Sequence, residues 1–384
     1  MRIWTPGHNY LTDTLIMWGI TSILVVREVL KDYSSVKIIG SGGRYCIELP
    51  DLDLNKFNTE FCEYVRDIID LEGLEQLIKA RRRRALGGVV RGTIRDAVDP
   101  DTRSGVAKAI YNLISQKIDL SVFTEDHKIK FREGRVGGKG LTLYIPLSGI
   151  YGKFATFEHE YKDLRYSVCP ACVAFAAIGM NEMAIISRRR TERVYVVFGF
   201  DGEVTLDKLA PFIREDWQTV VEDILNRAFR NDASLTALGQ AFLVFSNIPE
   251  EVRKKMPNVL WYLIIYSYDV GRTKRITGFK PLDLMPIKDL ITKIIDIEPN
   301  YRYLPGLLRT LIERVSVEKG GDEIINLMAE YSINRDPYLA YKIVRLLRSL
   351  IDKLSEQKAA EKRVRQRLFS LLDLSLAEAL LSAV

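Results

Sequence analysis

Histidine occurs three times in this chain of 384 residues and cysteine four times. His8, His127 and His159 are widely separated, so a histidine-based active site has little to draw on. Four cysteines are too few for a disulfide scaffold at this length, which favours a reducing cytoplasm. No stretch reaches the roughly 18–20 apolar residues of a transmembrane helix. The longest candidates are Leu15–Val26, interrupted by Gly19, Thr21 and Ser22, and the short run Val259–Ile265. The first also fails as a signal peptide: only Arg2 is basic ahead of it, Asp13 intrudes, and no small-residue cleavage site follows. It reads as a buried helix. Phosphate loops of the G-x-x-x-x-G-K-S type, H-E-x-x-H and G-x-S-x-G are all missing.

What the chain has is arginine, lysine, glutamate and isoleucine, the usage of a thermophile that relies on ion pairs. Apolar residues at 47% and charged residues at 28% are those of a globular protein. The length predicts two to three domains. Charge is concentrated in K-A-R-R-R-R-A-L-G-G-V-V-R-G-T-I-R, which holds Lys79, Arg81, Arg82, Arg83, Arg84, Arg91 and Arg95 and no acid. Its seven positive charges exceed the net +6 of the whole chain, so the remainder sums to about −1. Like charges held together need a counter-anion, and the arginine fork binds phosphate oxygens in a bidentate manner. Gly87, Gly88 and Gly92 remove Cβ where backbone could lie against phosphates. A solvated helix face running into a loop is the plain alternative. A phosphate-backbone track is the preferred reading, and a pI near 8.9 suits an anionic polymer better than a small metabolite.

The pattern along the chain predicts an α+β fold: a mixed helix and antiparallel-sheet body over residues 1–285, with a possible sub-boundary near 150–166, then an all-α bundle over 286–384. A core helix is expected over Leu11–Lys31, apolar nearly all round, and a Gly-tipped hairpin after Ser34. Leu54–Leu86 and Ser104–Ser115 read as helices. Lys117–Phe123, His127–Arg132 and Leu141–Pro146 alternate as a three-stranded meander does. Tyr151–Tyr166 is a polar link. Pro170 opens a helix of small residues, Val194–Phe200 is a strand, and helices follow near Leu206–Arg230 and Leu235–Phe245. Val259–Ser267 is a buried strand, and Pro281–Pro286 marks a boundary. Five helices then fill Ile287–Ile295, Tyr303–Val315, Gly321–Tyr331, Pro337–Leu354 and Gln357–Leu381.

Three constellations invite chemistry. Cys169-x-x-Cys172 is half of a zinc site, which Cys46, Cys62 or His159 could complete in space; a redox pair at a helix N-terminus is the other active reading. Buried packing is the ordinary fate of free cysteine and is the reading adopted, with no cofactor expected. Glu158-His159-Glu160 is geometrically poor for a metal because adjacent side chains diverge. Pro100-Asp101 with Asp126-x-Lys128 imitates a nuclease pattern in which carboxylates hold Mg²⁺, so a metal-dependent nuclease stands as the alternative function and a zinc or thiol protein as a second.

Nucleic-acid binding has broader support. Lys128, Lys130, Arg132, Arg135 and Lys139 surround a glycine-rich turn, Arg132–Gly140, whose Gly137 and Gly138 could expose N–H groups to phosphate. Arg188, Arg189, Arg190 and Arg193 form a further cluster, Arg272, Lys274 and Arg275 another, and Lys362, Arg363, Arg365 and Arg367 a last one. Eighteen tyrosines allow stacking on unpaired bases. Neither zinc fingers nor an RNA-recognition signature is visible. Phosphate and shape are therefore the expected targets.

The opening W-T-P-G-H-N-Y-L-T-D-T-L-I-M-W-G, the block E-H-E-Y-K-D-L-R-Y-S-V-C-P-A-C-V-A-F-A-A-I-G and the closing helical region together resemble the large subunit of archaeal type I-A CRISPR surveillance (Cascade) complexes. The resemblance spans the full chain. It implies a noncatalytic, cytoplasmic subunit with an α/β body and a C-terminal helical bundle. Its partners would be CRISPR RNA, target DNA, the other subunits and a helicase-nuclease, with no membrane. Such subunits sense the short motif beside the target, help to open the duplex, hold the displaced strand and dock the nuclease. Guide pairing supplies most of the sequence specificity. No residue-level role is carried over from the resemblance.

Overall fold

A computed structural model describes residues 1–68, 118–136, 140–142, 153–155, 161–163, 167–189, 192–215, 217–269, 275–297, 304–313 and 320–354. The fold is α+β, with helices packed on an antiparallel sheet and a run of helices at the C-terminal side. The chain opens with β1 (Arg2–Trp4) and α1 (Tyr10–Val26). Asn9 caps α1, its side chain accepting from Thr12 N at 2.9 Å. Every residue from Leu11 to Val25 is buried, as the all-round apolar pattern requires. β2 (Lys37–Ser41) and β3 (Arg44–Glu48) form the expected hairpin. Gly42 and Gly43 turn it with φ of +56° and +74°, the left-handed pair of a two-residue type I′ loop.

α2 (Leu54–Ile68) follows, then a single 3₁₀ turn over Leu120–Val122 and α3 (His127–Arg132). The expected meander is therefore corrected. Lys117–Phe123 holds the 3₁₀ turn, and His127–Arg132 is a helix. Alternation misled because a six-residue helix is too short to display a 3.6 period. A strand would hide Ile129 with His127, whereas Ile129 is 59% exposed. Four short strands come next: β4 (Leu141–Thr142), β5 (Lys153–Ala155), β6 (Tyr161–Asp163) and β7 (Ser167–Val168). β4 pairs with β7, and β5 with β6, so the expected polar link contains a small antiparallel ladder.

α4 (Pro170–Met183) begins with Pro170 at its first turn, as expected. β8 (Ile185–Arg189) and the long β9 (Glu192–Thr205) precede α5 (Leu206–Arg214) and α6 (Trp217–Arg230). The single helix expected over Leu206–Arg230 is thus two, since Glu215 takes extended backbone. α7 (Ala237–Ser246), α8 (Glu250–Lys255), β10 (Leu260–Asp269) and β11 (Arg275–Asp283) follow. The last described helices are α9 (Met285–Ile297), α10 (Leu304–Glu313), α11 (Gly321–Asn334) and α12 (Pro337–Leu354). The main sheet runs β1-β3-β2-β9-β10-β11, and β8 pairs with β9.

Packing divides the chain into two compact units. The first comprises Met1–Ile186, Tyr195–Asp216 and Glu251–Phe279, and its centre is the close pair α1 and α4. The second comprises Ser187–Val194, Trp217–Glu250 and Lys280–Val384. It is built on α11, which anchors the connection between α6 and α7. Asp322 Oδ2 accepts from Ser234 N at 2.7 Å, and Asn326 accepts from Thr236 N while donating to Ser234 O, both at 2.9 Å. Among the described residues no helix is long and apolar enough to cross a membrane.

Candidate functional site

The loop Thr5–Asn9, inside the motif W-T-P-G-H-N-Y, is held from three sides. Asp13 in the first turn of α1 accepts from Gly7 N at 2.7 Å and Asn9 N at 2.9 Å. Arg44 Nε on β3 donates to Thr5 O at 2.9 Å, its guanidinium lies 5.3 Å from the Trp4 ring, and it also donates to Glu125 O. Lys128 Nζ on α3 donates to Gly7 O at 2.8 Å. Burial raises the Asp13 pKa to about 6 against the opposing backbone N–H groups. The same burial, then the Lys128 charge, depresses His8 to about 3.

Asp13 makes a pH prediction with a definite sign. Its folded pKa lies above its ordinary 3.8, so the folded state takes up a proton first as pH falls through about 6. Stability relative to the Asp13→Asn variant should therefore rise by roughly 2 kcal/mol between about pH 6.5 and 4.5. Chemical denaturation of both proteins at each pH measures the difference. A difference independent of pH would refute the shift.

Behind α3 the structure gathers His127, Cys169 and Cys172, all buried, with their donor atoms within 4.8 Å of one another. Cys169 is the N-cap of α4 and Cys172 lies one turn in, so the helix itself sets the pair. Their sulfurs are 3.2 Å apart, and Cys172 N donates to Cys169 Sγ at 3.4 Å. His127 reaches them from α3: its ring stacks on Phe123 at 5.0 Å, and its Nε2 is 3.4 Å from Cys172 Sγ. Nδ1 lies 2.6 Å from Val122 O. A carbonyl can only accept, so Nδ1 carries the proton and Nε2 faces the sulfurs. The hydrogen bond from Cys172 and then that from His127, whose Nε2 also carries a proton when the ring is cationic, hold the Cys169 thiol down, to about 5, against burial. Burial and the neighbouring sulfur push Cys172 well up. Burial works against charge on His127, but its hydrogen bond to Cys169 raises its pKa on balance.

Both cysteines are buried, as the sequence suggested. Of the partners proposed for them, Cys46 lies in β3 and Cys62 on α2, outside the cluster, and His159 lies outside the described residues. His127 was missed because its segment alternates like a strand.

The predicted cations are placed as follows. Arg81, Arg82, Arg83, Arg84, Arg91 and Arg95 lie outside the described residues, as do Gly137, Gly138, Lys139 and Arg190. Lys128 and Lys130 sit on α3, so the strand of the meander expected over His127–Arg132, before the Arg132–Gly140 turn, is corrected to a short helix leading into that turn. Lys130 Nζ pairs with Asp126 at 2.9 Å, and Arg135 Nε with Glu133 at 3.2 Å. Arg132 and Arg135 are exposed. Arg188 and Arg189 belong to β8, and the Arg189 guanidinium lies 5.9 Å from the Phe229 ring. The nuclease pattern fares poorly in its described half. Asp126 precedes a helix instead of lying in a strand, is bound to Thr124 Oγ1 and Lys130, and Lys128 is engaged with Gly7. Pro100 and Asp101 lie outside the described residues.

Residues 1–370 match the family described as CRISPR-associated protein (Cas_Csa4). A relative from Thermoproteus tenax, described as CRISPR system associated protein Cas8, is 31% identical over 185 residues. That alignment covers 46% of this chain and 49% of the relative, so the chain spans about half the length of the curated relative it matches. The chain belongs to the Cas_Csa4 family of CRISPR-associated proteins, the large-subunit family that the sequence resembles.

Proposed function

We propose, from that membership, that the protein is the noncatalytic large subunit of a type I-A CRISPR RNA-guided surveillance complex and contacts nucleic acid through phosphate and shape. The observation that carries this reading is the family match over residues 1–370. The charge distribution supports it, because Lys79–Arg95 alone carries more positive charge than the net of the chain. In this reading Arg81, Arg82, Arg83 and Arg84 bind phosphates of target DNA or guide RNA, with Arg91 and Arg95 extending the track. Arg132 at the end of α3 and Arg135 just after it, both exposed, add a second contact. The subunit helps to recognise the motif beside the target, to part the duplex, and to hold the displaced strand or dock the helicase-nuclease. Other subunits, CRISPR RNA and target DNA are its partners, in the cytoplasm of a hot-living archaeon.

Salt dependence tests the arginine track. Each phosphate contact on duplex DNA contributes about 0.9 to the slope of log affinity against log salt. Replacing Arg81 and Arg82 by alanine should flatten that slope by roughly 1–2. Fluorescence anisotropy over a salt series reads it. An unchanged slope in a folded variant would leave the run a solvated surface.

A further inference from the structure

We propose that His127, Cys169 and Cys172 form a structural site for a thiophilic divalent cation, zinc in the cell. This goes beyond the nucleic-acid reading and does not depend on it. Two thiolates and one imidazole are the donor set that selects zinc over magnesium or calcium. The three donors come from two segments far apart in sequence, and all three residues are fully buried. In a tetrahedral site with metal–sulfur near 2.3 Å and metal–nitrogen near 2.0–2.1 Å, sulfur–sulfur edges are about 3.8 Å and sulfur–nitrogen edges about 3.6 Å. The observed 3.4 Å between Cys172 Sγ and His127 Nε2 fits the second edge. The 3.2 Å between the sulfurs is short of the first and needs the thiols to part by about half an ångström, a small side-chain rotation.

The surroundings are those of a ligating histidine. Its Nδ1–H is fixed on Val122 O, which commits Nε2 to the sulfurs and sets the ring plane; metal-bound histidines are oriented in this way. Phe123 stacked on the ring at an interplanar angle of 2° prevents it from swinging out. The amide of Cys172 donates to Cys169 Sγ, a hydrogen bond that stabilises a thiolate. A disulfide would use the two sulfurs and leave Nε2 without a role. Complete burial also keeps both sulfurs from the partner thiols that redox exchange requires. Three donors leave one tetrahedral position open. Bound metal would tie the N-terminus of α4 to α3 and the Leu120–Val122 turn. Cys169 and Cys172 form no disulfide, so bound metal would do the work of one there.

The test uses the full-length reduced protein, incubated with zinc sulfate and then gel-filtered. Elemental analysis should find about one zinc per chain, falling below about 0.1 in the double variant Cys169→Ser, Cys172→Ser. Cobalt substituted at the site should show a thiolate-to-metal charge-transfer band. Should the double variant fail to fold, the pair His127→Phe and His127→Cys decides the matter. Phenylalanine can keep the stack but not the ligand, so metal should be lost; cysteine restores a donor, so metal should return with a stronger charge-transfer band. Zinc below about 0.1 per chain in the reduced wild type would overturn the proposal. So would full zinc in the folded double variant or in His127→Phe, and so would a Cys169–Cys172 disulfide, seen as a loss of two hydrogens in the mass of protein purified without reductant.

Discussion

Gly19→Ala and Gly179→Ala should each destabilise the protein by roughly 3–5 kcal/mol, among the largest losses a single methyl group can cause. The reason is reciprocal. A Cβ on Gly19 of α1 would sit 2.0 Å from Phe175 O of α4, and a Cβ on Gly179 of α4 would sit 1.9 Å from Leu15 O of α1. Each obstacle is backbone, which cannot rotate away as a side chain can. The helices must part, and α1 is buried on every side, so the gap spreads through the centre of the first unit. Once the first methyl has forced them apart the second meets less resistance, so the double variant should lose less than the sum. Gly306→Ala is the control. It lies in α10 with nothing within 4 Å of the added carbon, and should be neutral or more stable by roughly 0.5–1 kcal/mol. Denaturant midpoints measure all four proteins. A loss below about 1 kcal/mol at Gly19 would mean that the helices are not in backbone contact.

Much of this core was legible in the sequence, and the misses have physical causes. The apolar run after Asn9 and the small residues after Pro170 announce two buried helices that pack closely. The end of α1 was placed too late, at Lys31. Arg27–Lys31 contains no glycine or proline, so nothing in it announces a stop. The helix ends because Glu28 takes φ +48° in place of glycine while Val29 N returns to Leu24 O and Glu28 N to Val25 O. β11 was missed because Gly278 and Pro281 argue against a strand. It closes the sheet order, and an edge strand tolerates proline where an inner one does not. The buried cluster was half legible. C-P-A-C gives the spacing and the helix N-terminus, but His127 stands 42 positions before Cys169 in a segment whose alternation imitates a strand. Only the tertiary fold brings Nε2 to the sulfurs. The basic run lies outside the described residues, so its part in the proposed function rests on charge and family.

Trp18→Ala should cost about 3–5 kcal/mol, the range for removing a large buried aromatic. Trp18 is fully buried on α1, and its Nε1–H donates to Phe198 O on β9 at 2.6 Å. Its ring meets Phe200 of β9 at 6.4 Å and Phe212 of α5 at 5.9 Å. Both of those rings meet Trp261 of β10, at 5.4 Å and 5.5 Å. One side chain therefore ties the central helix to β9 and α5, and through their two rings to Trp261 of β10. The indole contributes in two separable ways. Trp18→Phe keeps a ring in the aromatic cluster but deletes the donor, and should cost a smaller amount, on the order of 1–3 kcal/mol. The further step to alanine measures packing and the cavity left behind. The cavity has a readout of its own: a small apolar ligand such as benzene should raise the melting temperature of Trp18→Ala and leave the wild type unchanged. If alanine costs no more than phenylalanine, the site has collapsed and the aromatic cluster does not hold α1 to the sheet. If benzene stabilises the two proteins equally, the apparent cavity is not where the indole was.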